Sequence, residues 1–249
     1  MKTQLLGYYG GDKRHCLSAW QSTTDELGIL LPECIEDRVD YIFAYIAKTK
    51  KKRPEQLLTF LAGHNHGTPF EKSLLDFQVT ADIASHIHCL KHRIGVSINT
   101  ESARYKEMKD DKFYKPLDWV NIKVSEDSKK EMRKCAILSA LGGCCNWEYS
   151  KMLEKWSETS AKLYHAALDD ATPELGRKRA KESSRYFLPY ATELNFDICF
   201  NFRSFIHFQG LRNSQHAQLE IREIAAEMLR IVKSETNGAF NYSLKAFNL

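Results

Sequence analysis

A helical repeat of apolar residues near the carboxyl end of the chain constrains the fold more than any other feature of the sequence. Within residues 214–233, six apolar side chains recur at helical spacing: Ile221, Ile224, Ala225, Met228, Leu229 and Val232. Such a stripe is typical of an amphipathic helix with one buried face. We therefore predict a helix over 214–233, with Asn213 or Ser214 as its N-terminal cap.

Much of the remaining chain favours helices, because only six prolines and twelve glycines interrupt its 249 residues. Helical spacing and end signals predict further helices at 36–52, 54–61, 82–93, most of 127–169 with a break at Gly142 and Gly143, and 174–187. Strands are predicted near 71–80 and over 194–202, where apolar and polar residues alternate. The expected fold class is α+β, with helices predominating.

Charge and cysteine content place few limits on function. The net charge of +4 suits an anionic small ligand as well as a nucleic acid. The seven cysteines are scattered without a C-x-x-C pair, which is typical of reduced cytosolic thiols. The opening MKTQLLGYYGG lacks the apolar region of a signal peptide, and no apolar run approaches a membrane span. We therefore expect a cytoplasmic protein without a membrane anchor.

The run KHRIGVSINTESARY, residues 91–105, concentrates positive charges and hydrogen-bond donors. Apolar and polar residues alternate over 96–99, as in an extended segment. Ser102 and Arg104 lie two apart, so an extended backbone would present both on one side. A hydroxyl beside a guanidinium suits phosphate oxygens, because both groups donate hydrogen bonds. A solvated basic loop is an equally good interpretation of the spacing.

The cluster HIHCLKH, residues 86–92, raises the question of a metal site. His88 and His92 are four residues apart and would share a helix face, as zinc ligands often do. No third ligand has a fixed spacing, so no metal is predicted. The histidines are interpreted as polar contacts of a ligand or as ordinary surface residues.

Two further segments have the composition of a binding site. The loop GHNHGTPFEK, residues 63–72, contains glycines that allow close approach of backbone to a ligand, although a plain turn explains it equally. Asn201, Arg203, His207 and Arg212 precede or open the predicted carboxyl-terminal helix. A positive charge there opposes the helix dipole, and a bound anion would compensate for it. Chance placement on the surface is the alternative. No P-loop, G-x-G-x-x-G motif or Ser-His-Asp arrangement is present.

Taken in order, these segments resemble the blocks of the flavin-dependent thymidylate synthase (ThyX) family. Lys91-His92-Arg93, eight residues and then Ser102-Ala103-Arg104-Tyr105 is similar to the family's Arg-His-Arg, seven residues and Ser-x-Arg-Tyr. GHNHGTPFE resembles its Gly-His-x-Thr/Ser-Pro-Phe-Glu, SRYFLP (184–189) its Ala-Arg-x-x-Leu-Pro, and LRNSQHAQLEIRE its carboxyl-terminal block. The departures are Lys91 in place of the first Arg, one extra residue before Ser102, and two residues inserted after Gly63-His64 if that pair is the counterpart of the family's Gly-His.

The resemblance implies a single catalytic domain over 1–249 with a small antiparallel sheet. It also implies a homotetramer whose active sites lie between subunits. The expected cofactor is FAD, with methylenetetrahydrofolate and NADPH as co-substrates, and dUMP would be converted to dTMP. Neither a membrane nor nucleic acid is an expected partner.

Carried over residue by residue, the resemblance assigns Arg212 as the catalytic residue, facing the uracil of dUMP. The residues assigned to dUMP as a whole are His88, Lys91, Glu101, Ser102, Ala103, Arg104, Arg185 and Arg212. Those assigned to FAD are Thr68, Glu71, His92, Arg93, Ile94, Thr100, Asn201, Arg203 and His207. The extra residue leaves open whether Thr100 or Glu101 matches the family's Glu. His88 stands where the family favours Gln.

Two rival functions remain at this stage. The altered motif could belong to a relative that hydroxymethylates a pyrimidine nucleotide or accepts dCMP. Alternatively, the basic run could bind nucleic acid without catalysis, with Tyr105, Phe113 and Tyr114 stacking on bases.

Overall fold

A computed structural model of the chain describes residues 1–24, 32–50, 53–108 and 111–249. Four strands in this part of the chain form one antiparallel sheet in the order β1-β2-β4-β3. The strands are β1 (Lys2–Tyr9), β2 (Leu74–Asp82), β3 (Val96–Thr100) and β4 (Glu193–Asn201). The expected strands near 71–80 and 194–202 and the extended segment after Gly95 are confirmed, whereas β1 was not predicted.

Ten α-helices occur in the same described residues. They are α1 (Asp12–Trp20), α2 (Arg38–Ala47), α3 (Pro54–Gly63), α4 (Ile83–Leu90), α5 (Glu126–Met132), α6 (Ala136–Cys144), α7 (Tyr149–Ser184), α8 (Phe202–Arg212), α9 (Leu219–Glu235) and α10 (Asn241–Ala246). The mostly helical α+β class is therefore confirmed. The helix expected over 36–52 is shorter, and its residues 51–52 lie outside the described part of the chain. None of the described helices is long and apolar enough to span a membrane.

The predicted start of the carboxyl-terminal helix was wrong. α9 begins at Leu219, with Gln218 as its N-cap, and Asn213 instead caps the C-terminus of α8. Arg212 is therefore the last residue of α8 rather than a residue before α9. A positive charge at a helix C-terminus is favourable, so the helix dipole gives no reason for a compensating anion there.

The helical segments between 127 and 187 are also divided differently from the prediction. Gly142 and Gly143 lie within α6, and the break falls at Asn146 and Trp147, which have φ values of 53° and 55°. Gly142 packs against Trp147, since a Cβ on Gly142 would lie 2.3 Å from the indole ring. The helix expected over 174–187 is the second part of α7, which is kinked at Gly176 with φ 76°.

The chain divides into two compact units. Unit 1 comprises Met1, Thr80–Ile87 and Thr100–Asn195, and unit 2 comprises Lys2–Val79, His88–Asn99 and Phe196–Leu249. That residues 1–249 act as one catalytic domain stays a prediction.

Unit 2 has an aromatic core between the sheet and α8. Phe77 of β2 stacks on Phe205 at 6.1 Å between ring centroids, and Phe200 of β4 meets Phe208 at 5.1 Å. All four side chains are fully buried. Burial of each such side chain contributes about 1.5–3 kcal/mol, so α8 is firmly anchored. α9 packs against α8 and β1, and its predicted stripe is buried except at Leu229, which is only partly buried.

Unit 1 is built on the kinked helix α7. Tyr164 and Leu168 precede the kink and Ala180 follows it, yet all three belong to one buried cluster. The two parts of α7 thus share one core, and this shared packing fixes the direction of the C-terminal part. Arg185 is the residue that directly follows α7.

Candidate active site

The turn at Ile94 and Gly95 in unit 2 is fixed by the first turn of α8. The Asn201 backbone N–H donates to the Gly95 carbonyl at 2.8 Å, and the Ser204 hydroxyl donates to the Ile94 carbonyl at 2.6 Å. Gly95 has φ 64°, and a Cβ there would lie 2.2 Å from the Asn201 amide nitrogen, so only glycine fits. The neighbouring side chain of Ile94 is 90% exposed. Arg93 and Ile94 are therefore presented to solvent on a rigid turn.

Asn201 has a second role in this arrangement. Its side-chain oxygen accepts a hydrogen bond from the Ser204 N–H at 2.8 Å and so caps α8. The polar Asn201 ends β4 and joins this strand to α8 and to the turn. Its assignment to FAD stays a prediction.

Arg212 is held by two histidines of unit 2. Its Nε donates to His92 Nε2 at 2.9 Å. Its Nη1 lies 3.4 Å from His88 Nδ1, and its Nη2 lies 3.5 Å from the His88 carbonyl oxygen. Arg212 as a whole residue is half-buried. The structure thus brings together three residues that the sequence assigned to two different ligands.

The protonation of His92 follows from this geometry. A guanidinium can only donate hydrogen bonds, so His92 Nε2 must be unprotonated to accept one. Burial lowers the pKa of His92 to about 4, and the nearby charges of Arg212 and His207 act in the same direction. His92 is therefore neutral at physiological pH.

The loop containing Thr68 and Glu71 lies against α8 within unit 2. A Glu71 carboxylate oxygen accepts a hydrogen bond from Arg203 Nη1 at 2.6 Å, and a Cβ on Gly67 would lie 2.6 Å from Arg203 Nε. The Arg203 guanidinium thus lies over the Gly67 backbone, which explains why position 67 is occupied by a glycine. Thr68 and the outer edge of Arg203 remain exposed.

The expected phosphate-binding residues lie in unit 1, but not on an extended backbone as predicted. The chain turns over 103–105, and the Arg104 N–H donates to the Ser102 hydroxyl at 3.3 Å. Ala103 occupies the same turn. The prediction failed because a Ser side chain can hydrogen-bond the backbone two residues on and so favour a turn.

Arg104 is tied to the end of α7. Its Nε donates to Glu182 at 3.1 Å, and Lys181 donates to the Tyr105 carbonyl at 3.0 Å. Glu182 lies one helical turn before Arg185, which is exposed just beyond α7. Sequence reasoning missed Glu182, although a carboxylate three residues before an assigned arginine was a usable signal.

Glu101 has structural partners in unit 1. One carboxylate oxygen accepts hydrogen bonds from the Asn195 backbone N–H at 2.7 Å and from the Asn195 side chain at 3.3 Å, and the other pairs with Lys106 at 3.0 Å.

Thr100 Oγ1 lies 2.8 Å from His86 Nε2. Lys91 and His207 are exposed on unit 2. No group of three or more metal-ligating side chains occurs among the described residues.

Comparison with known proteins gives a consistent result. A family model described as "Thymidylate synthase complementing protein" matches residues 4–236. A flavin-dependent thymidylate synthase from Thermosipho africanus is 34% identical over 197 residues, covering 78% of this chain and 79% of that protein. One from Tropheryma whipplei is 30% identical over 220 residues, covering 82% of this chain and 84% of that protein.

A solved structure shows a similar fold. The UMP/dUMP methylase PolB from Streptomyces cacaoi, bound with 5-Br dUMP, superposes with a TM-score of 0.67 at 22% identity. The match covers 99% of this chain and 94% of that chain.

Proposed function

This chain belongs to the flavin-dependent thymidylate synthase family, and we propose that it catalyses the reductive methylation of dUMP to dTMP. FAD is the proposed redox cofactor, methylenetetrahydrofolate the one-carbon donor and NADPH the reductant. The observation that carries the proposal is the guanidinium of the half-buried Arg212, held by neutral His92 at the position where the family meets the uracil. The relative of this fold that binds a brominated dUMP agrees with the substrate.

The donors of unit 2 fit FAD. An isoalloxazine ring offers carbonyl and ring-nitrogen acceptors, and a dinucleotide pyrophosphate is anionic. Around the fixed turn, Arg93 and Arg203 supply charged donors, and Thr68 supplies a hydroxyl. Ile94 gives a rigid apolar surface for a ring. When bound, the flavin would supply the redox equivalents of the reaction.

The uracil is activated by Arg212 in this proposal. C5 of uracil becomes nucleophilic when negative charge develops at N3 and the adjacent carbonyl oxygens. Arg212 remains charged at any working pH and can stabilise that anion without losing a proton. Since His92 supplies no negative charge to the pair, the guanidinium charge stays available to the substrate.

The phosphate of dUMP is assigned to Ser102, Arg104 and Arg185 of unit 1. The Glu182 carboxylate forms ion pairs with both Arg104 and Arg179. Arg179 Nη1 lies 3.5 Å from this carboxylate. A phosphate dianion would compete with this carboxylate for Arg104. The protein is proposed to act as a homotetramer with active sites between subunits, so the residues that serve one dUMP need not all come from one copy.

Replacing Arg185 by alanine is expected to weaken dUMP binding tenfold or more, because a charge-assisted hydrogen bond contributes about 1.5–3 kcal/mol. FAD affinity should change little. Titration of both ligands on the same preparation measures the two effects. Arg179→Ala is the matched control, since Arg179 lies on the same helix end and pairs only weakly with Glu182. An unchanged dUMP affinity in Arg185→Ala would contradict the assignment.

The function itself is tested by colour and product. The purified protein should be yellow or become so with FAD, and should release tritium from C5 of labelled dUMP only when methylenetetrahydrofolate is present. A preparation that takes up no FAD would refute the proposal. The mass of the product separates methylation from hydroxymethylation, and dCMP offered in place of dUMP tests the other nucleotide.

A further inference from the structure

We propose that His92, assisted by His88, is a positioning residue that aims the Arg212 guanidinium while leaving its charge uncompensated. The inference rests on the proposed function for its choice of assay. It assigns His92 a role different from the flavin contact that the family resemblance implies.

Arg212 loses conformational freedom when its side chain is held in one geometry. It is the last residue of α8, and its side chain is long and flexible. An arginine side chain in that position has many rotamers, and ordering it costs up to about 2 kcal/mol. The hydrogen bond of 2.9 Å to His92 fixes the Nε edge, and the longer contacts to His88 restrict the Nη groups.

His92 is itself held in place. Its backbone N–H donates to the Cys89 carbonyl at 3.0 Å. Its ring packs edge-on against Phe208 at 4.9 Å and lies 6.1 Å from the His207 ring. Phe208 is fully buried one turn before Arg212 on α8. The acceptor nitrogen therefore has a defined position relative to the helix that bears the arginine.

A neutral partner leaves the positive charge of Arg212 uncompensated. Proteins usually hold an arginine with a carboxylate, as Glu71 holds Arg203 in the same unit. A carboxylate on Arg212 would offset the field that a developing uracil anion needs. A neutral imidazole provides an acceptor without that offset, and burial together with the neighbouring cation favours its neutral form.

If His92 positions Arg212, substitutions of His92 should change the rate at which reduced flavin is reoxidised in a single turnover at saturating dUMP and folate. His92→Leu should be about 10–100-fold slower than wild type, as expected when a catalytic group is misaligned. His92→Gln should recover most of the rate, because its amide oxygen can accept from Arg212. His92→Glu, which has the same shape as Gln but carries a charge, should be clearly slower than His92→Gln.

A double-mutant cycle with Arg212→Ala separates positioning from direct action. If His92 acts through Arg212, the double variant His92→Leu/Arg212→Ala should be no slower than Arg212→Ala. If the two effects multiply, His92 acts independently, for example on the flavin, and the proposal is wrong. Equal rates for His92→Glu and His92→Gln would overturn the argument from charge. FAD affinity is measured for each variant, and a loss that accounts for the slower rate would also overturn it. His165→Leu in unit 1 is the control histidine.

A measurement without turnover keeps this test apart from the proposed function. The Arg212 Nε–H signal in nitrogen-15 NMR of the wild-type protein should be protected from exchange, and His92→Leu should remove that protection. If the Arg212 Nε–H is protected in a protein that makes no dTMP, the proposed function is wrong but the contact between Arg212 and His92 is retained. If the Nε–H is not protected in an active protein, only the contact is refuted.

Discussion

Replacing Arg212 by alanine is expected to slow the chemical step by about 10²–10³-fold, the usual cost of removing one preorganised stabiliser of a developing anion. The loss should persist at saturating dUMP, because the interaction strengthens as charge develops on the uracil. The fold and the yellow colour should remain, since Arg212 is only half-buried and is the last residue of α8, beyond the buried aromatic side chains that anchor the helix.

Lysine at position 212 tests which property of the guanidinium matters. It keeps the positive charge, which suits the C-terminus of α8. It lacks the planar fork, so it cannot bond His92 and meet a ring nitrogen and its neighbouring oxygen in one geometry. Arg212→Lys should therefore lose most turnover.

The rate to measure is flavin reoxidation by folate and dUMP in single-turnover mixtures. Arg230→Ala is a suitable control, because Arg230 is exposed on α9 and pairs with Glu227 at 2.8 Å. If Arg212→Ala reacts at the wild-type rate once dUMP is saturating, Arg212 only binds substrate and the activation comes from another group.

The case of Arg212 shows what the sequence could and could not predict. Its importance was inferred partly from a position before a helix, and that reasoning was wrong because α9 starts seven residues after it. The family motif nevertheless pointed to the same residue. The stripe over 221–232 predicted the buried face of α9 well, because apolar periodicity reports burial directly. It carries no information on where the helix begins, which Gln218 and the turn before it decide.

Contacts between distant residues were not predictable from local pattern. β1 and α1 went unpredicted because their partners lie far along the chain: Gly11 donates to the Ser73 hydroxyl, and Asp12 accepts from the Ser243 N–H. The hydrogen bond between Arg212 and His92 likewise joins residues 120 apart. Spacing could place His88 and His92 on one face, but could not indicate that the face would meet an arginine.

A chain of buried, hydrogen-bonded polar side chains in unit 2 makes the stability of the fold depend on pH. Ser243 donates its hydroxyl proton to Asp12, so towards His15 Nδ1, at 2.8 Å, it can only accept. His15 Nδ1 therefore carries the proton, and His15 Nε2 accepts from the Ser73 hydroxyl at 2.7 Å. Each member of this chain has a partner only while His15 is neutral. A protonated ring would leave the Ser73 hydroxyl proton without its acceptor.

The pH dependence follows from this arrangement. Burial, aided by the charge of Arg14, lowers the pKa of His15 from 6.5 to about 3. The unfolded chain binds a proton below pH 6.5 that the folded chain refuses until about pH 3, so this contribution to stability is complete above pH 6.5 and is lost as the pH falls. The loss amounts to about 2 kcal/mol at pH 5.

We expect His15→Phe to be less stable than wild type by about 1–3 kcal/mol at pH 7.5. A phenyl ring suits the neighbouring rings of Phe70, Phe202 and Phe240 but leaves the Ser73 hydroxyl proton without an acceptor. The difference should shrink on acidification and be small near pH 5, since the variant has no histidine to protonate there. Urea unfolding at one fixed protein concentration measures it, and comparison with wild type cancels titrating groups outside this hydrogen-bonded chain, such as His92. His64→Phe, at an exposed position, is the control substitution. Parallel pH profiles for wild type and His15→Phe would show that His15 is not held neutral, and that the Asp12–Ser243–His15–Ser73 chain does not account for the acid sensitivity of the fold.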